Sequence, residues 1–314
     1  MNEKAKKIEK VMKRRLFWRV LLLALLSTPD SLSALECTPL VLAKATHSSL
    51  PYGKGLLWKV SRGGGKPSYL FGTMHVGDAE VVELPREVST VFQASSRLIL
   101  EAELNPRDAM EFSKLMTYAD GGRLNDALGE ELFERTVDLL WRYGITRGSA
   151  TTIKPWAAYL TLSMPPANGI ALDMVLAQRA AEQGTPVYGL ESLKEQGAVL
   201  STLPLSDQIG LLKDTVCHYQ AMQQDVATMK KLYLQRDLAG LMAMADKYEI
   251  AESARYRRLL ETLLWSRNKR MAERMQPYLD EGDSFIAIGA LHLPDTKGVL
   301  AILAAKGYRV VAVY

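Results

Sequence analysis

Cysteine and histidine are scarce in this 314-residue chain, which has two of the first and four of the second. No CxxC pair or Cys/His cluster occurs, so a structural zinc site of the finger type is excluded. Long apolar stretches are missing too. The uninterrupted run near the N-terminus, Val20 to Leu26, falls far short of the roughly 20 residues that span a bilayer, and a polytopic membrane protein is ruled out. No period of about 20–50 residues marks a solenoid or propeller. The absence of GxSxG, HExxH, P-loop and GxGxxG patterns counts against a serine hydrolase, a zincin, an NTPase and a Rossmann dehydrogenase.

What remains is ordinary globular composition, 48% hydrophobic and 24% charged, enough to bury a sizeable core. The net charge of +4 is local rather than general. Residues 1–34 hold eight of the 39 Lys and Arg and three of the 35 acids, which leaves 31 basic against 32 acidic residues in the body. No basic stripe with interleaved aromatics is left to follow a phosphate backbone, so nucleic acid is not expected as a partner.

The basic cluster has its own explanation. Lys13-Arg14-Arg15 leads into Leu16 to Leu26, broken only by Arg19, and then into Ser27-Thr28-Pro29. This predicts a secretory signal peptide over 1–34, with an amphipathic N-terminal helix on a cytosolic protein as the alternative. The mature chain is then periplasmic or secreted, without a stable membrane span. In an oxidising compartment Cys37 and Cys217 either pair or stand as one terminal and one buried thiol; the sequence leaves both open.

Along the body, short apolar runs alternate with helical patterns, predicting an α/β fold, mixed α+β, with a central mixed sheet flanked by helices. Strands are expected at 56–60, 68–74, 97–104, 186–190, 284–291 and 308–314. Gly63-Gly64-Gly65 with Lys66-Pro67 reads as the hairpin turn joining the first two. Helices are expected at 87–94, 108–118, 130–143, 171–183, 206–234, 238–247, 256–275 and 296–306. The expected organisation is a single domain over 35–314, its sheet built from both ends of the chain, with helical insertions at about 120–165 and 201–283.

The strand ends carry the chemistry. Tyr69-Leu-Phe-Gly72-Thr-Met-His75 and Phe285-Ile-Ala-Ile-Gly289-Ala-Leu-His292 are one construction used twice: an apolar strand, a glycine, two residues and a histidine. A histidine at the carboxyl end of a buried strand opens into the crevice where ligands bind in open α/β sheets, and the glycine lets another group approach closely. Two further strands end in acids, Leu98-Ile-Leu-Glu101-Ala-Glu103 and Val187-Tyr-Gly-Leu-Glu191. Buried carboxylates need a cation, a metal or hydrogen-bond donors beside them. His75, His292 and Glu101 are therefore candidate ligands of a divalent metal, and a nearby second Glu is a candidate base. Glu101 is preferred to Glu103 because it is nearer the apolar run. Glu191 has a second reading, a carboxylate at the N-terminus of the following helix. His47, in a Thr/Ser-rich loop, and His218, in a helical stretch, read as surface or packing residues.

In these residues the chain resembles the TraB/GumN/TIKI group, more distantly the ChaN-like and erythromycin-esterase-like proteins. The likeness runs from about Leu57 to Tyr314. It rests on Leu70-Phe-Gly72-Thr73-Met-His75-Val-Gly-Asp78, Leu84-Pro85, Lys154-Pro155-Trp156, Gly189-Leu190-Glu191 with Gln196, Arg267-Asn268, and Ile288-Gly289-Ala290-Leu-His292-Leu-Pro294. Asp295 stands where the group usually has Gly, and Gly169-Ile-Ala-Leu-Asp173 is a loose form of its Gly-x-Asp block.

The resemblance implies a metal-dependent hydrolase with His75 and His292 as metal ligands and Glu101 as ligand or base. Glu191, Arg267 and Asn268 are carried over as further catalytic candidates, Arg267 equally as a structural partner of a buried acid. The expected function is hydrolysis of a peptide or similar small substrate with bound manganese, cobalt or zinc. Two alternatives stand beside it: a ChaN-like protein that binds haem or another small ligand without chemistry, and a metal-free His/Glu esterase.

Overall fold

A computed structural model describes residues 35–43, 50–103, 105–166, 169–248, 250 and 253–314; the expected signal segment, His47 and Leu104 lie outside them. The body of the fold is the unit Cys37–Tyr314. Its centre is Ser284–Gly289 (β5), Ser-Phe-Ile-Ala-Ile-Gly, in which every residue is buried. A strand apolar on both faces belongs inside a parallel sheet covered on both sides. The strand order is β4-β3-β5-β2-β1-β6, with Leu57–Ser61 as β1, Ser68–Thr73 as β2, Arg97–Glu103 as β3, Val187–Ser192 as β4 and Arg309–Ala312 as β6. The C-terminal β5 is thus inserted between β3 and β2. β1 pairs antiparallel with β2 and with β6, whereas β2–β5, β3–β5 and β3–β4 are parallel. This is the expected mixed sheet drawn from both ends of the chain.

Register then places the site. Gly72 pairs with Ile288 and Thr73 with Gly289, so the two Gly-x-x-His ends lie side by side. Leu100 pairs with Ala287 on the other flank of β5, and Ala102 with Glu191 across β3 and β4. Four carboxyl ends therefore open at one edge of the sheet, where open α/β folds bind ligands.

The main core fills both faces of this sheet, with Phe285 edge-on to Phe92 at 5.2 Å and tilted against Phe71 at 5.8 Å. A second cluster around Trp156, Leu200, Leu211 and Leu259 lies among the helices. Two of the expected helices are interrupted. The run 206–234 breaks into Leu205–Cys217 and Tyr219–Leu234 at His218, whose Nε2 meets the Thr38 carbonyl at 2.8 Å beside the Cys37–Cys217 disulfide. His218 is thus at a helix junction, and the tether that explains the break is 180 residues distant in sequence. The run 256–275 contains a π-helical stretch, Glu261–Trp265, between Ala254–Leu260 and Ser266–Arg274. Among the described residues no helix is long and apolar enough to cross a membrane.

Candidate active site

His75 lies two residues beyond β2, and His292 ends the 3-10 turn Ala290–His292 that follows β5. Glu101, within β3, separates them. Its Oε2 is 3.9 Å from His75 Nε2 and its Oε1 is 3.8 Å from His292 Nε2. The two motif glycines explain how the parts come so close. A methyl on Gly72 would stand 2.8 Å from Leu293 Cδ1 and 3.1 Å from Ala290 Cα, colliding with the turn that carries His292. One on Gly289 would stand 3.1 Å from Glu101 Oε2 and 3.4 Å from both His75 Nε2 and His292 Cδ2, filling the space among the three groups. Gly72 thus makes room for the turn that carries the other motif's histidine, and Gly289 for both histidines and Glu101.

Both rings are held by Nδ1. His75 Nδ1 donates to Asp173 Oδ2 at 2.7 Å, while Thr73 Oγ1 donates to the other oxygen of Asp173 at 2.8 Å. Asn268 Nδ2 donates to the Lys297 carbonyl, so its Oδ1 accepts, at 2.6 Å, from His292 Nδ1. Both Nε2 atoms are therefore directed at Glu101. His75 stands at the mouth, its side chain 51% exposed, whereas His292 is buried. A cavity of about 230 Å³ opens here, walled by His75, Glu101, Asp173, Met174, Leu193 and Gln196.

Arg267 ties the acids together. It reaches Glu101 Oε1 at 2.5 Å and Glu191 Oε2 at 2.7 Å, and its Nη1 lies 3.5 Å from His292 Nε2. Arg270 holds the other oxygen of Glu191 at 2.6 Å. Glu191 is thereby consumed by two guanidiniums and makes no contact with either imidazole; the helix-capping role next to it belongs to Ser192 and Glu195. Gln196 Nε2 and the Gly289 N–H complete the Glu101 shell at 3.0 and 2.7 Å. Glu103, by contrast, is exposed.

These neighbours set the charges. Around His75, burial works against the imidazolium, but the Asp173 and Glu101 carboxylates outweigh it and raise the pKa to about 9. Burial, reinforced by Arg267 and opposed by Glu101, lowers His292 to about 4. Burial also opposes the charge on Glu101, yet the imidazoles, Arg267 and the Gly289 N–H hold it well below the usual carboxylate range. With His292 neutral, the Arg267 guanidinium and the His75 imidazolium are the cations that keep this carboxylate ionised.

The donor types suit a divalent cation: two imidazoles fixed through Nδ1 by oxygen partners, the usual outer support of metal-binding histidines, facing one carboxylate. Among the described residues, however, no three His, Cys, Asp or Glu side chains are set as a ready ligand group, and Arg267 already occupies Glu101 Oε1. Asp173 is the residue the strand-end pattern missed. It lies in the first turn of the helix Leu172–Glu182, and only the loose Gly169-to-Asp173 block pointed to it.

The family model described as TraB/PrgY/gumN matches residues 56–312. Over 237 residues the chain is 26% identical to the uncharacterized protein YbaP of Shigella flexneri, covering 73% of this chain and 85% of that one. It is 25% identical to the zebrafish (Danio rerio) proteins named metalloprotease TIKI1 and TIKI2, over 81% of this chain. It spans only 62% and 60% of their lengths.

Proposed function

The chain belongs to the TraB/PrgY/gumN family, and from that membership and the site geometry we propose that it is a metal-dependent hydrolase cleaving amide bonds in peptides. One observation carries the reading: two imidazoles from opposite ends of the chain, each locked through Nδ1, aim Nε2 at the two oxygens of a single carboxylate. The likeness to proteins named metalloproteases supports it.

His75, His292 and Glu101 would hold the metal. When bound, such an ion polarises a carbonyl and acidifies water. The protein's own groups prepare the place. Asp173 and Asn268 keep the Nδ1 protons where they are, so that neutral His292 turns its Nε2 lone pair inward, and His75 would do so once an arriving cation displaced its Nε2 proton. Arg267 lies between Glu101 and Glu191 and, with Arg270, balances these two buried acids. Gln196 and Met174, on the cavity wall, line the approach of the scissile group. Export to the periplasm or outside the cell belongs to the same proposal, supported by the N-terminal pattern and by the disulfide.

Metal analysis of purified protein, with a peptide-library cleavage assay on wild type, His75→Ala and His292→Ala, tests this. The expected result is cleavage that a chelator abolishes, added Mn, Co or Zn restores, and both substitutions remove. Cleavage indifferent to chelation would replace the proposal with the metal-free His/Glu reading, which the Arg267–Glu101 contact favours; haem uptake without turnover would replace it with a binding protein.

A further inference from the structure

The strand-end cleft carries more apolar surface than acid–base or metal chemistry calls for. Of the nine residues that wall it, Leu100, Ala102, Ala171, Met174 and Leu193 are apolar. They interleave with the polar ones. Leu100 and Ala102 flank Glu101, Ala171 and Met174 bracket Asp173, and Leu193 precedes Gln196 by one turn of the helix Leu193–Ser201. A molecule whose reacting bond lies at the histidine pair therefore meets apolar surface directly beside that bond. At about 230 Å³ the cavity is smaller than the roughly 300–1,000 Å³ of pockets for small organic ligands, which suits one side chain and its flanking peptide groups.

Met174 stands out among these residues. Leu172 and Leu176 of the same helix are fully buried, whereas Met174 is 54% exposed while walling the cavity, and Ile170, just ahead of Ala171, is exposed to the same extent. A single apolar residue in water needs no explanation, but one that walls a cavity beside reactive groups gains when a guest covers it, and its thioether adapts to guests of different shape. The charged groups of the wall offer no competing anchor. Asp173 accepts from Thr73 on one oxygen and His75 on the other, and Glu101 accepts from Arg267, Gln196 and the Gly289 N–H. A charged side chain entering here would leave water without a partner of its own, which costs more than an apolar one gains.

We propose that this wall is a subsite for one uncharged apolar side chain, so that the substrate carries such a residue beside the bond that is cut, and that Met174 sets the preference. It rests on the hydrolytic reading of the cleft for the bond being cut; the subsite itself is a matter of binding alone.

Four probes that share one backbone, the N-acetyl methylamides of leucine, alanine, aspartate and lysine, test it by NMR titration of the purified protein with a chelator present, read at the Met174 methyl and the Gln196 side-chain amide. The leucine probe is expected to bind at least about tenfold more tightly than the alanine probe, since one methylene in an apolar pocket already discriminates by about that much. The aspartate and lysine probes should bind no more tightly than alanine. Met174→Lys, at an exposed position, should abolish the leucine advantage and make aspartate the best of the four, read at Gln196. An alanine or charged probe that binds the wild type as tightly as leucine does, no shift at either reporter, or a leucine advantage that survives Met174→Lys would overturn the proposal. The wild-type order decides even if the variant fails to fold. Because binding rather than turnover is read, the expected order in a protein that cuts no peptide would retire the hydrolase reading and keep the subsite, and cutting without that order would do the reverse.

Discussion

His75 and His292 end the same motif, yet one favours the charged ring and the other the neutral one: the Asp173 and Glu101 carboxylates outweigh burial at His75, whereas burial, reinforced by Arg267, prevails at His292, whose Nδ1 meets only the uncharged Asn268 amide. Asp173→Asn should therefore lower the His75 pKa, readable by NMR titration, and weaken metal affinity about 10–100-fold, the usual loss when a ligand's outer partner is removed. The His292 shift has a stability consequence in metal-free protein. Its folded pKa of about 4 lies below the ordinary 6.5, so its contribution is complete above pH 6.5 and is lost as the pH falls toward 4. Unfolding free energy measured in denaturant should decline over that interval, and His292→Gln should flatten the decline. His75, raised to about 9, acts in the opposite sense: its contribution is present below 6.5 and fades as the pH rises through 9. That second effect is reduced by the water reaching a half-exposed ring. At this scale the histidines and the Glu101 carboxylate were legible in the sequence, because a polar residue ending an apolar strand has few places to go. Asp173 was not. An acid in a first helical turn normally serves the helix dipole, and only contacts 98 and 100 residues back in the chain, with His75 and Thr73, give it other partners.

Among the elements, strands were easier to read than helices. Each of the six follows from an apolar run, and the ends differ by a few residues at most. Of the short helices, Leu193–Ser201 was expected only as the helix following Glu191, and Leu124–Leu128 and Arg147–Thr152 only within the helical insertion at 120–165, since a helix of one to three turns offers too few periods for an apolar stripe to fix its bounds. The π-helical stretch before Arg267 left no composition signal either. The joint between elements yields two predictions. Glu191 at the end of β4 is gripped by Arg267 and Arg270 from the helix Ser266–Arg274. Glu191→Gln keeps the shape and removes the charge, leaving buried Arg267 with one acid instead of two. Breaking a buried pair costs about 3–5 kcal/mol, which equilibrium unfolding will register. The second concerns Gly77 and Gly169, in the loops leading from His75 and toward Asp173. A Cβ on Gly77 would come within 2.3 Å of the Gly169 backbone. Gly77→Ala must part these loops and stretch the His75–Asp173 contact, so catalytic rate should fall more than the about 1–3 kcal/mol loss of stability typical of overpacking accounts for.

At the scale of the whole molecule, the sheet closes only when β5, near the C-terminus, enters between β2 and β3. The histidine pair exists only after that insertion, which is why no local segment reveals it. A similar long-range closure ties Cys37 to Cys217 over 180 residues. It fixes the segment that continues through Leu42, bridged to Tyr248, and Ala43, whose N–H donates to the Lys247 carbonyl at 3.0 Å. The sequence left the pairing open because spacing says nothing about which distant helix the segment crosses. Cross-linking so long a loop restricts the unfolded chain far more than the folded one, and losing such a bond costs about 2–5 kcal/mol. Reduction, or Cys37→Ser with Cys217→Ser, should shift the guanidinium midpoint downward by that free energy. The loss should come from the unfolded chain, so the strand-end cleft stays intact and peptide cleavage in the absence of denaturant stays near the wild-type rate. A double variant that unfolds at the wild-type midpoint would show that the packing around Leu42 and Ala43 holds the segment without the covalent bond. One that keeps its midpoint but loses cleavage would show instead that the segment's position reaches the histidine pair through Leu291, which lies in the turn carrying His292 and lines a cavity among the helices together with Leu40.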